Sequence, residues 1–183
     1  MSPKGYSQNL SKHLTLAEAT RSETAKRHGI SNQPTPEHLE NMTALAEAIF
    51  EPCRTFIGRP LAVNSLYRSP ELNKAIKGAS ATSDHCRGAA IDMDCDIYGG
   101  SNRDLFFFIV DNLDFGQLIW EFGQEPEASN NAAPDWVHCS YYVDRPNKKQ
   151  ILQAYKVNGR TKYKTWTDPR GYSFKTSCKR GSA

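Results

Sequence analysis

The chain has 183 residues, 38% hydrophobic and 23% charged, with a formal charge of +3, which suffices for one domain with its own core and excludes a disulfide-dependent miniprotein. No run of 18 apolar residues occurs and the opening MSPKGYSQNLSKHL has no apolar signal stretch, so the chain is expected to be a soluble monomer, without a transmembrane segment, made in the cytoplasm.

Thr15 to Gly29 predicts a first helix, with Thr15 as cap, Glu18 closing a capping box and Gly29 as the left-handed stop. A second starts at Thr35-Pro36 and runs to Gly58; its apolar stripe, including Leu39, Met42, Leu45, Ile49 and Cys53, keeps the spacing of a buried face, and Pro52 is expected to kink it. Leu61 to Tyr67 predicts a strand, Ser69-Pro70 opens a helix through Lys77, and residues 88 to 95 form a second strand. Ser101 to Leu113 is a helix whose Phe106 to Val110 run is core, Phe115 to Phe122 a third strand and Trp136 to Val143 a fourth. Ile151 to Val157 and Thr161 to Trp166 flank an Asn158-Gly159 hairpin turn. The sum is an α+β domain, helices first, with a mainly antiparallel sheet carrying the chemistry.

Charge divides unevenly along the chain. Residues 145–183 hold 11 Lys or Arg against one acidic residue, Asp168, while residues 1–144 hold 12 against 19. The reading is a domain over 1–144 and a basic hairpin and tail over 145–183 that extends it and suits a polyanion, whether an anionic cell-wall polymer, lipid headgroups or nucleic acid. A solvated tail is the plainer alternative, and no nucleic-acid reading motif is present.

Chemistry concentrates in Ser83-Asp84-His85-Cys86-Arg87-Gly88-Ala89-Ala90-Ile91-Asp92 and, far downstream, Asp135-Trp136-Val137-His138. His85, Asp92 and His138 offer the three N/O donors of a hydrolytic zinc site, and the spare carboxylate of Asp135 can act as base. His85 and Asp92 are seven apart and would face opposite ways on one strand, so the chain must bend, and Gly88 is placed to bend it. Asp135 and His138 diverge in the same way unless Pro134 keeps Asp135 in the loop. Trp136 shares the parity of His138 and could wall the site, with a core role as the alternative. Arg68 could stabilise a carbonyl oxyanion, with turn capping as the alternative. The five cysteines (53, 86, 95, 139, 178) contain no C-x-x-C pair; Cys86, Cys95 and Cys139 flank the ligands, but buried structural thiols are favoured over a thiolate zinc site.

The pattern Ser83-x-His85-x-x-Gly88-x-Ala90-x-Asp92, with Asp135-x-x-His138 and Tyr67-Arg68-Ser69-Pro70, resembles the zinc D-alanyl-D-alanine peptidases, in the carboxypeptidase branch found in bacteria and their phages, and is endolysin-like. The resemblance spans about Asn9 to about Val143, including Leu10-Ser11-Lys12 and the Gln117–Glu121 strand. It implies a hedgehog/DD-peptidase fold, one Zn²⁺, and hydrolysis of peptide bonds in the peptidoglycan stem, as a D-Ala-D-Ala carboxypeptidase or crosslink endopeptidase. His85, Asp92 and His138 are then the zinc ligands, Asp135 the general base, Arg68 the oxyanion group, and Ser83 a substrate-binding residue or support for a ligand. The residues at 84, 86 and 87 depart from those often found in the family. Two other readings compete: an inert zinc-stabilised binding or structural module of a phage particle, which a fourth thiolate ligand would favour, and a D,D-dipeptidase. With no signal segment, the expected route to the wall is release during phage lysis or carriage on a virion, with muropeptides in the cytoplasm as the remaining possibility.

Overall fold

The computed structural model describes residues 9–170; Cys178 and the last part of the basic tail lie outside them. Thr15 opens α1 (Leu16–Ala19) with a complete capping box, its hydroxyl accepting from the Glu18 N–H while the Glu18 carboxylate accepts from the Thr15 N–H. The expected single helix to Gly29 is two. The carbonyls that would carry α1 forward are spent elsewhere: Ala19 accepts from the Tyr67 N–H at 2.9 Å and Thr20 from Asn32 Nδ2 at 2.8 Å. Ser22 then caps a fresh helix, α2 (Glu23–His28), which ends on Gly29 at φ 65°.

The long helix runs from Pro36 to Gly58 as α3 (Pro36–Leu45), a π-helical stretch (Ala46–Phe50) and α4 (Glu51–Ile57). Pro52 has no N–H to donate, and its ring would crowd the carbonyl four residues back. The π stretch just upstream, in which the Glu51 N–H reaches Ala46 O, widens the helix at this point and carries it past the proline.

Then follow β1 (Ala62–Ser65), α5 (Pro70–Ala75) capped by Ser69, a 3₁₀ turn (Asp84–Arg87), β2 (Ala90–Asp94), α6 (Asn102–Asn112) capped by Ser101, β3 (Gln117–Glu121), β4 (Trp136–Ser140), β5 (Gln150–Val157) and β6 (Arg160–Thr165). These strands form one sheet in the order β1-β2-β4-β3-β5-β6. Every neighbouring pair is antiparallel except β3 with β5. Asn158 (φ 49°) and Gly159 (φ 74°) turn the β5–β6 hairpin, as the Asn-Gly pair predicts.

Strand alternation divides the sheet into two faces with different jobs. Ile91, Met93, Cys95, Leu118, Trp120, Val137 and Cys139 form one core with Met42, Leu45, Ile49, Phe50 and Cys53 of the long helix and Leu105, Phe106 and Ile109 of α6. Trp166, just past β6, closes this core against Phe106 at a ring distance of 5.2 Å. Cys53, Cys95 and Cys139 are therefore core thiols, as the sequence reading favours. The opposite face carries Asp92, His138, Ile119, Glu121 and Trp136, and the chemistry lies there.

Candidate metal centre

Asp92 and His138 are direct cross-strand partners on β2 and β4, so they share a face as immediate neighbours. His85 joins them from outside the sheet. The 3₁₀ turn ends on Gly88 at φ 68°, reversing the chain so that His85 on the turn and Asp92 on β2 converge despite their parity. Gly88 also lies against the long helix: a Cβ there would come within 2.6 Å of His38 O and of Met42 Cγ. The bend expected of Gly88 is thus present, and close packing against α3 is a second demand on the same residue.

The donor atoms of His85, Asp92 and His138 all lie within 4.8 Å of one another. His138 Nδ1 is 2.8 Å from Asp92 Oδ1, His85 Nε2 is 3.3 Å from Asp92 Oδ2, and the two imidazole rings meet edge to face at 5.1 Å. His85 Nδ1 lies 2.7 Å from the Leu66 carbonyl, which can only accept, so Nδ1 carries a proton and Nε2 is the nitrogen turned towards the cluster. Two imidazoles and one carboxylate on a single shared point fit a zinc ion bound at about 2 Å with a position left open. Among the described residues no thiol belongs to this group: Cys139 faces the core, and Cys86 sits half-buried on the turn.

The electrostatics fit the same assignment. Burial alone would raise the Asp92 carboxyl, but the charges and hydrogen bonds of His85 and His138 hold it well below the usual carboxylate range. Burial lowers His85 against the raising effect of Asp92, while Asp92 and Glu121 outweigh burial at His138 and raise it. Arg68 adds Nη2 to Asp92 Oδ2 at 3.0 Å and is steadied by Nε to Ser65 Oγ at 2.8 Å. Its own N–H binds His85 O, tying the two chain segments together beneath the site.

The remaining sequence candidates fall on the chain segments that carry His85 and His138. Ser83 is half-buried just before the 3₁₀ turn, its carbonyl accepting from the Cys86 N–H. Trp136 shares the face of His138 and packs edge to face on Phe122 at 5.3 Å. Asp135 stands one residue ahead of β4. Its N–H binds Glu121 O at 2.9 Å, its carbonyl accepts from Asn102 Nδ2, and its exposed carboxylate lines a cleft with Asp96, Phe122, Gly123 and Pro134. A Cβ on Gly123 would come within 2.2 Å of Ala133 O and 2.9 Å of Asp135 N, so a glycine is needed to let this loop close behind Asp135. The Asp135 carboxylate is outside the trio and meets no described side chain.

Sequence reasoning gave Glu121 no role. It is 7% exposed at the end of β3, opposite Trp136 and diagonal to His138. Burial pushes its carboxyl up to about 7, against the lowering effect of His138, Lys156 and Arg68. The available signal was parity: in Gln117-Leu118-Ile119-Trp120-Glu121 the acid sits in step with Ile119, and Ile119 pairs with His138.

No curated protein matches the chain. A family model described as Peptidase M15 matches residues 12–108, which include Arg68, Ser83, His85 and Asp92; β4 then supplies His138 from beyond the matched span. With more than half of the chain matched and a trio suited to one ion, the chain belongs to the Peptidase M15 family of zinc D-Ala-D-Ala carboxypeptidases.

Proposed function

We propose that the protein hydrolyses peptide bonds in the peptidoglycan stem, as a D-Ala-D-Ala carboxypeptidase or crosslink endopeptidase, and that it serves phage lysis or wall degradation. The observation that carries this reading is the buried His85–Asp92–His138 trio, three possible ligands on one point with no thiol of the described residues among them. Three ligands suit catalysis, whereas structural zinc sites take four protein ligands.

His85, Asp92 and His138 hold the ion, which when bound supplies a Lewis acid that acidifies water and polarises the scissile carbonyl. Asp135 takes the proton from the attacking water and returns it to the leaving amine. Arg68, already oriented by Asp92 and Ser65, keeps Nη1 for the oxyanion that develops on the carbonyl. Ser83 contacts substrate beside the 3₁₀ turn, and Trp136 with Phe122 walls the site against water. Residues 1–144 and the 145–183 extension act together as one monomeric enzyme that reaches the wall at lysis. The basic end adds attraction to anionic wall polymers.

The test is digestion of purified peptidoglycan and of a stem peptide ending in D-Ala-D-Ala, with and without chelator, the products identified by mass. Loss of terminal D-Ala, or of crosslinked dimers, that stops with chelator and returns with Zn²⁺ supports the reading and names the bond. Release of a D-Ala-D-Ala dipeptide from neither substrate, but cleavage of the free dipeptide, would make it a D,D-dipeptidase. A folded, zinc-loaded protein that cuts nothing would be a binding or structural module.

A further inference from the structure

Glu121 is a buried ionisable group that the proposed mechanism leaves unused. At 7% exposure its carboxylate accepts no hydrogen bond and joins no ion pair among the described residues. A buried carboxylate in that state lacks the donors that normally offset its desolvation. The parallel register sets Ala154 beside Glu121, and the hairpin register sets Tyr163 beside Ala154, so all three share the face of the metal centre.

Lys156, two residues beyond Ala154 on β5, belongs to this face as well. Its Nζ donates to Thr161 Oγ1 at 2.9 Å and lies 4.6 Å from the centre of the Phe122 ring. An ammonium has three N–H donors, so two remain without a described acceptor. Glu121 and Lys156 stand on neighbouring strands of one face, two positions out of register, yet they do not meet as an ion pair among the described residues. The strand position between them is filled by Ala154, whose methyl takes little room, and the half-exposed Tyr163 flanks it.

We propose that Glu121 and Lys156 form a subsite for a zwitterionic amino-acid centre of the peptide substrate, with its ammonium on Glu121 and its carboxylate on Lys156. A group carrying only a cation would satisfy Glu121 but oppose Lys156, and a lone anion would do the reverse; a centre with both charges pairs with each. A stem peptide offers such a centre where its diamino acid is a diamino dicarboxylic acid with one end free. The inference rests on the peptidase reading above and narrows its substrate to stems whose diamino acid is not acylated.

The experiment uses the zinc-loaded full chain and three stem pentapeptides ending in D-Ala-D-Ala. They differ only at the diamino residue: diaminopimelate with a free end, diaminopimelate N-acetylated at that end, and lysine. The expected result is a preference for the free diaminopimelate peptide of about tenfold in kcat/KM over each of the others, carried by KM. Glu121→Gln should lose the discrimination against the acetylated peptide, Lys156→Met should lose it against lysine, and both should keep the wild-type zinc content. Equal use of all three peptides by the wild type, or wild-type preference in both variants, overturns the subsite and leaves the peptidase reading standing. Cleavage of none of them removes the peptidase reading and the subsite with it. Should Glu121→Gln fail to fold, the exposed Lys156→Met variant decides the matter alone.

Discussion

Asp92 receives His138, His85 and Arg68 at once, so its carboxylate is held ionised and oriented. Asp135 has no comparable company among the described residues, so the ligand role of the trio and the base role proposed for Asp135 can be told apart by measurement. His138→Ala should lose stoichiometric zinc, whereas Asp135→Asn should retain it and lower kcat by on the order of 10²- to 10⁴-fold. Metal content and steady-state kinetics on the two variants check this, and an unchanged kcat in Asp135→Asn would assign the proton to another group. Glu121 gives a second prediction at the same scale. Its folded-state pKa of about 7 exceeds the ordinary value of 4.5, so between those values the folded chain binds more protons than the unfolded one, and stability falls as pH rises through that window. In zinc-free protein, Glu121→Gln should therefore gain on the wild type by about 3 kcal/mol between pH 4 and pH 8. Denaturant melts at the two pH values measure it, and a pH-independent difference would show that burial of the charge is compensated.

The turn Asp84–Arg87 is the element on which the site depends, because it delivers His85 to a strand pair that it does not belong to. Gly88→Ala places a side chain at positive φ and drives its Cβ into the His38 carbonyl. The expected cost is about 2 kcal/mol or more, with zinc affinity weakened as the turn shifts; a melting temperature and a zinc titration equal to wild type would refute it. The bend at Gly88 was readable in the sequence because it follows from parity alone. So were the capping box at Thr15, the helix starts at Ser69 and Ser101 and the Asn158-Gly159 turn, each a hydrogen bond or dihedral decided within three residues. The break after Ala19 was not, since its cause is the Tyr67 N–H, nearly fifty positions away. The π stretch was reduced in the sequence to a kink at Pro52, because periodicity marks the buried face but not how the helix accommodates a proline. Glu121 escaped for a related reason: its place on the metal face is set by the register of β3 against β4 and β5.

At the scale of the molecule, the metal centre is a clasp between separate parts of the fold. Its three donors come from the 3₁₀ turn, from β2 and from β4, and Arg68 ties the segment after β1 to the same carboxylate. The span matched to the family ends before β4, so the site is completed only when a later part of the chain pairs into the sheet. Beyond β4 the chain continues through β5 and β6 to Trp166, which seals the core on the far side of the sheet, and to Arg170, which pairs with Asp111 on α6. The edge strand β6 carries Arg160, Lys162 and Lys164, charges that discourage pairing with another chain. An ion that requires all three donors in place binds the folded chain and not the unfolded one, so its binding free energy adds to folding stability. At free zinc about a thousandfold above the dissociation constant the gain is about 4 kcal/mol, which for a domain of this size raises the melting temperature by on the order of 10 °C. Calorimetry with buffered zinc should show this rise in the wild type and in Asp135→Asn, and its loss in Asp92→Ala. A zinc-independent melting temperature in the wild type would mean that the ion is not held by the trio, while an intact rise in Asp92→Ala would move the binding site elsewhere in the chain.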